Sequence, residues 1–317
     1  MTFQHTVCLH ACKLAMLSLI ALLGPVTTVP LMAQAISGQK TFVSSSEAVQ
    51  ALVTAARSGD PAELEPLLGS QAKELIASGN LGDAKQVLAD FVKAYGQKHS
   101  ISVEAQGIEY LQVGPGNWPF PFPIVRDGKM WYFDVDRGNE EIVYRRVGRN
   151  ELGAIAVCEG YVQSQIEYAS HGHDGNPSGV YASRFHSDAG EQDGLYWGTS
   201  EGKPASPMGP LVADAAAAEP QQSGATTTPY YGYLYKILSA QGPEAEGGAK
   251  SYIVDGKLTG GFALIAYPAH YGSSGIMTFI VNQDGVIYQQ DLGDNTADLA
   301  SQITAYNPDS SWNAAQD

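Results

Sequence analysis

RRVGRNELGAIAVCEGYVQSQIEYA, residues 145–169, reads as one amphipathic helix joining two halves of different character. Leu152, Ile155, Val162, Ile166 and Ala169 recur at helical spacing, and Cys158 and Tyr161 flank that stripe. Asn150 has the chemistry of an N-cap, and Glu151 sits where the helix dipole favours a negative charge. Arg145, Arg146 and Arg149 precede the cap. The dipole opposes cations at that end, so these arginines call for carboxylate partners.

Upstream of this segment the pattern is helices first, then strands. Ser44 and Glu47 are spaced as a capping box, followed by an apolar stripe of Ala48, Leu52, Val53 and Ala56. Asp60-Pro61 caps and starts a second helix containing Leu64, Leu67 and Leu68. A third is expected over residues 82–95, with Leu88 and Phe91 facing inward. Residues 101–105 and 108–113 are strand candidates. WPFPFPIV, residues 118–125, carries prolines at alternate positions and reads as one extended edge strand, since proline donates nothing to a ladder. Arg126-Asp127-Gly128-Lys129 is a hairpin turn before the strand at 130–135.

Downstream, His171–Ser178 chemistry (HGHDGNPS) marks a loop, residues 214–219 a brief alanine-rich helix, and residues 221–228 a low-complexity loop. Strands follow at 231–240, 261–267, 277–281 and 286–288, the last two flanking an Asn282-Gln283-Asp284-Gly285 hairpin turn. A closing helix is expected over 296–306. This order defines an α+β chain. The first half is similar to the cone-shaped, nuclear-transport-factor-like fold, in which helices cover a curved antiparallel sheet. The expected division is a signal peptide at 1–35, a leader at 36–43, a helical plus β-meander domain at 44–148 and a second α+β domain at 149–317.

Composition narrows the function classes. The formal net charge is −15, with 18 Lys and Arg against 33 Asp and Glu. Nucleic acid is excluded as a partner because no basic face neutralises phosphates, and an anionic membrane surface is disfavoured for the same reason. Residues 14–23, LAMLSLIALL, follow Lys13 and precede Ala33-Gln34-Ala35, which is the pattern of a cleaved secretory signal. The mature chain is therefore expected to be periplasmic or extracellular, without a membrane anchor after cleavage. Cys8 and Cys12 lie in that leader, leaving Cys158 alone in the mature chain. No internal disulfide can form, and a helical cysteine beside an apolar stripe reads as a buried thiol.

The segments WPFPFPIVRDGKMWYFD, GRNELGAI, GLYW, YYGYLYKILSAQGP and MTFIVNQDGVIYQQDLG together resemble a bacterial family of exported proteins described as a domain of unknown function. The resemblance runs over residues 44–312 and implies export but no activity. The second half also resembles the head of type II secretion pseudopilins, through Asn150-Glu151, Ala154-Ile155, Gln165, Tyr168, the Gly-Tyr-x-Tyr strand at 232–235 and the hairpin at 283–285. It departs from them because its helix is internal and amphipathic, so the usual route to a polymer is closed. The resemblance implies a pilin-head-like interaction module with an envelope protein as partner.

Chemistry is sparse. His171, His173 and Asp174 form the best metal-like cluster, suited to a divalent transition metal but with no further ligand visible nearby; His186 reaches only if the loop folds back. The competing account is a polar surface loop. Asp134, Asp136, Glu140 and Glu141 could serve calcium, or simply pair with the three arginines. Asp284, Asp291 and Asp294 are the calcium candidates that the pseudopilin resemblance implies. Ser273-Ser274-Gly275 reads as a turn. Motifs for nucleophilic, zinc-protease, phosphate-binding or dinucleotide chemistry are missing. The aromatic set Trp118, Phe120, Phe122, Trp131 and Phe133 either lines a groove or fills the core of a curved sheet. The expectation is a non-catalytic binding or scaffold module of the cell envelope with no cofactor. The alternative is an enzyme or small-ligand binder with its pocket in the first half.

Overall fold

The long helix predicted at 150–169 is almost twice that length. In the computed structural model, which describes residues 35, 38–69, 84–173, 175–188, 190–198, 205–209 and 229–315, it runs Val135–Ser170 over 36 residues. Its cap is Asp134, whose carboxylate accepts from the Arg137 N–H. The segment of Arg145, Arg146 and Arg149 thus lies inside the helix, and the dipole argument against it does not apply.

The elements leading up to it are α1 (Ser45–Ser58), a 3-10 turn (Pro61–Leu64), α2 (Glu65–Leu68) and α3 (Ala84–Gln97). Ser44 caps α1 by accepting from the Glu47 N–H at 3.1 Å, and Asp60 accepts from the Ala62 N–H at 2.9 Å. Strands β1 (His99–Ala105), β2 (Ile108–Val113), β3 (Trp118–Pro119), β4 (Ile124–Asp127) and β5 (Met130–Phe133) follow. They form one antiparallel sheet in the order β1-β2-β4-β5, with β3 also on β2. The predicted single strand at 118–125 is therefore corrected. Pro121 and Pro123 interrupt the ladder between β3 and β4, and β4 then runs inside the sheet, where its own residues carry no proline. Phe120, Phe122 and Phe133 are buried beneath α1 in a first apolar core.

The helix at 135–170, α4, ends this half and begins the next. Then come β6 (Tyr233–Leu238), β7 (Ala240–Gln241), β8 (Lys250–Ser251), β9 (Ile253–Val254), β10 (Lys257–Leu258), β11 (Ala263–Pro268), β12 (Met277–Asn282), β13 (Tyr288–Asp291), α5 (Thr296–Gln302) and β14 (Asn313–Ala314). The second sheet has the order β14-β13-β12-β11-β6, all antiparallel. Ala263, Leu264, Ile265 and Ala266 of β11 are fully buried, so both faces of this central strand are covered. Helix α4 lies against β11 and β12, and α5 against β11. The closing helix is shorter than the predicted 296–306, and its Leu299 is exposed.

Helix α4 supplies both cores. Val135 and Ile142 belong to the first, while Ala154, Val157, Cys158, Tyr161, Val162 and Tyr168 belong to the second. The predicted stripe is displaced: Leu152 and Ile166 face solvent, at 65% and 52% exposure. Residues 1–33, Asp174 and the segments predicted at 214–219 and 221–228 lie outside the described residues. Among the described residues, no helix is long and apolar enough to cross a membrane.

Candidate functional site

A pocket of about 610 Å³ opens between α1, α3, the β2–β3 turn and the first half of α4. That volume is ordinary for a small-molecule site. Its floor is apolar for a local reason. Leu52 and Ala56 of α1, Leu88, Phe91 and Ala94 of α3, and Ile142 of α4 are at three- and four-residue spacings that turn them toward one another. Phe120 and Val113 close it from the sheet. Gly114 and Gly116 of the β2–β3 turn also line it, as does Trp118, which is 46% exposed.

The remaining wall is cationic. Arg145, Arg146 and Arg149 occupy one turn of α4 and all line the pocket. Arg145 donates from Nε to Glu141 Oε1 at 2.7 Å, an i,i+4 pair along the helix, and its guanidinium lies 4.7 Å from the centre of the Trp118 ring. Its Nη1 is buried and has no hydrogen-bond partner among the described residues. Arg146 donates from Nε to the Ser273 carbonyl at 3.0 Å, across to the second half of the chain. The carboxylate partners expected for the basic trio are thus present for Arg145, while Arg146 uses a neutral carbonyl. Asp90, on α3, is the single acidic residue of the lining among the described residues and accepts from Gln86 Nε2 at 3.0 Å.

Neighbouring residues of α4 clamp the second half. Asn150, predicted as a cap, is buried in mid-helix and donates to the Ser274 carbonyl at 2.9 Å. Glu151 Oε1 accepts the N–H groups of Ile276 and Met277 at 2.9 and 3.0 Å. The Ser273-Ser274-Gly275 turn is a loop bound to α4 through its backbone carbonyls.

The metal candidates are placed as follows. His171 Nδ1 contacts the Ser170 hydroxyl at 2.7 Å, whereas the His173 ring stacks on Tyr168 at 4.2 Å and tilts against Trp197. His186 is elsewhere, beside the Tyr230 hydroxyl. Asp134 serves as the α4 cap and pairs with Arg137 at 3.4 Å, and Glu141 pairs with Arg145. Asp284 accepts from Asn282 Nδ2, and Asp291 from the Tyr271 hydroxyl and the Gly293 N–H. Among the described residues, no three His, Cys, Asp or Glu side chains gather in a way that could hold a metal ion. Cys158 is fully buried, and burial pushes its thiol far above the usual range, which suits a packed side chain rather than a nucleophile.

The arginine wall was legible as a basic cluster, but its role was not. The available signal was three cations on one turn in a chain of net charge −15.

A model of a protein family of unknown function, DUF2950, matches residues 39–315. The chain belongs to that family. No curated protein and no solved structure matches it. The family match takes in both halves, α4 and every residue of the pocket, so the site is part of the family domain rather than an appendage to it.

Proposed function

We propose that this chain is an exported, non-catalytic binding module of the cell envelope whose working site is the pocket of the first half. One observation carries the reading: a cavity of about 610 Å³ with apolar walls and one arginine-lined side. Sites for small molecules combine an apolar enclosure with a few polar groups that fix orientation, and this one does so. The described lining favours holding over turnover. Arginine stays protonated and cannot exchange a proton near neutral pH, and Asp90 is exposed and already hydrogen-bonded to Gln86. Export is supported by the apolar run at 14–23 and the Ala33-Gln34-Ala35 site.

A second reading, a scaffold that docks an envelope protein, draws on the outer face of α4. Tyr144, Leu152 and Ile166 are exposed there at 64%, 65% and 52%. These side chains are single and spaced along the helix rather than contiguous, so the pocket is the stronger feature. Native mass spectrometry of the mature chain, residues 36–317, released gently from the envelope fraction, separates the two. A retained organic mass of small-molecule size supports the pocket. A bare mass, or one that includes a second polypeptide, supports the scaffold.

A further inference from the structure

We propose that the outer edge of β1 is a self-association site, where β1 of a second copy of this chain pairs antiparallel about a two-fold axis at Ile101. The inference is independent of the pocket reading.

The edge itself is the first observation. β1 is the outermost strand of the first sheet, with β2 on one side only. The Lys98 carbonyl accepts from the Gly114 N–H at 2.8 Å, and His99 stands opposite Val113. Antiparallel ladders alternate, so Ser100 and Ser102 turn their backbone groups to β2, while His99, Ile101 and Val103 turn theirs outward. Among the described residues, no further strand or bridge lies on that side. The opposite edge of the sheet is closed, because Phe42 and Trp131 exchange backbone hydrogen bonds at 2.7 Å there. β1 has seven residues and no proline, and its Val103 is 70% exposed. A long uncovered edge is a template for another strand.

Charge selects the occupant and the register. The outward groups are symmetric about Ile101, so an antiparallel copy satisfies them reciprocally, His99 with Val103 and Ile101 with Ile101. That register sets Lys98 opposite Glu104 at both ends, each an exposed side chain, as cross-strand pairs of opposite charge. Sliding by two residues sets Lys98 against Ser102, or Glu104 against Ser100, and forfeits both pairs. Glu104 lies in the bulge before Ala105, yet its carboxylate stays beside the hydroxyl of Tyr110, the residue opposite Ser102. The same register lays Val103 against His99 of the second copy, a ring stacked on Tyr95 at 3.8 Å, which covers the exposed valine. Any extended peptide satisfies the backbone; the self-complementary spacing of Lys98 and Glu104 is what favours a second copy. The formal charge of −15 on each chain opposes association, but salt screens it beyond about 8 Å, and the edge pairs are in contact.

The test is sedimentation velocity on the mature chain, residues 36–317, at physiological salt, from low to high micromolar concentration. The sedimenting mass should rise from one chain to two and stop there. Lys98→Glu and Glu104→Lys should each weaken the dimer about tenfold, since every cross-strand pair becomes like-charged. An equimolar mixture of these two variants should dimerise as the unaltered chain does, because each supplies the charge that the other lacks. Val103→Pro removes an outward donor that β2 does not use, and should abolish the dimer with helix and sheet content retained. A single-chain mass at every concentration overturns the proposal, and so does growth beyond two chains. A dimer that both charge variants leave unchanged lies on another surface and overturns it as well. The mixture decides the matter even where Val103→Pro fails to fold. In native mass spectrometry a doubled chain mass bears on this edge, while the pocket is judged by the organic mass retained with it.

Discussion

Gly138 shows how much a single missing side chain decides. A Cβ there would lie 2.0 Å from Cδ1 of Phe122, a fully buried ring. In an ordinary helix interior, Gly→Ala stabilises by about 1 kcal/mol. Overpacking a buried ring costs about 1–3 kcal/mol, so the clash wins. Gly138→Ala should therefore lower the urea midpoint, and an unchanged or higher midpoint would show that Phe122 moves aside freely. The caps at Ser44 and Asp60 and the burial of Cys158 were readable in the sequence, because each follows from local chemistry. Asn150 was not. Its side chain suits a cap, but the same amide donates equally well to a distant carbonyl, and sequence cannot say that Ser274 is near. The histidines of HGHDG divide for a comparable reason: His173 stacks on Tyr168 and tilts against Trp197, a contact across 24 residues of sequence.

At the scale of elements, α4 is the organising piece. At 1.5 Å per residue its 36 residues span about 54 Å, enough to pass from one core to the other. Its buried residues serve two cores in succession, so one apolar stripe does not describe it, and the expected cap at Asn150 lies sixteen residues after the actual cap at Asp134. The helix types and sheet turns were legible from caps, glycines and alternation. The interior position of β4 was obscured by prolines that belong to the segment before it. Glu151 is where α4 fixes the loop ahead of β12. Glu151→Ala would leave the partly buried N–H groups of Ile276 and Met277 without an acceptor. The expected cost is about 1–3 kcal/mol, with faster amide exchange at 276 and 277 than elsewhere in the second sheet. Unchanged exchange at those two amides would show that the carboxylate holds nothing in place.

For the whole molecule, the α+β class followed from the order of elements, while the pocket did not, because it arises where α1, α3, the β2–β3 turn and α4 meet. A second property of the whole is its tyrosine-rich core. Burial pushes the hydroxyl of Tyr252 up to about 12 from the usual 10.0, and burial also raises Tyr161, Tyr233 and Tyr306. The unfolded chain thus gives up these protons at lower pH than the folded one. Stability from this source is complete below pH 10.0 and is lost as pH rises towards about 12. Unfolding on raising the pH should coincide with the last part of the rise in phenolate absorbance, the part that the buried tyrosines contribute. A phenolate titration completed near pH 10.0 while the fold persists would show that these tyrosines are open to solvent.

The central claim is that the cavity between α1, α3 and α4 is a binding site. It is tested most directly by titrating N-phenyl-naphthylamine into the mature chain and into Ala94→Phe, which places a ring in the pocket wall beside Gly114. The account predicts saturable binding of one probe per chain, abolished in Ala94→Phe while helix content is retained. Saturable binding that Ala94→Phe leaves unchanged, or no saturable binding to the unaltered chain, would contradict it.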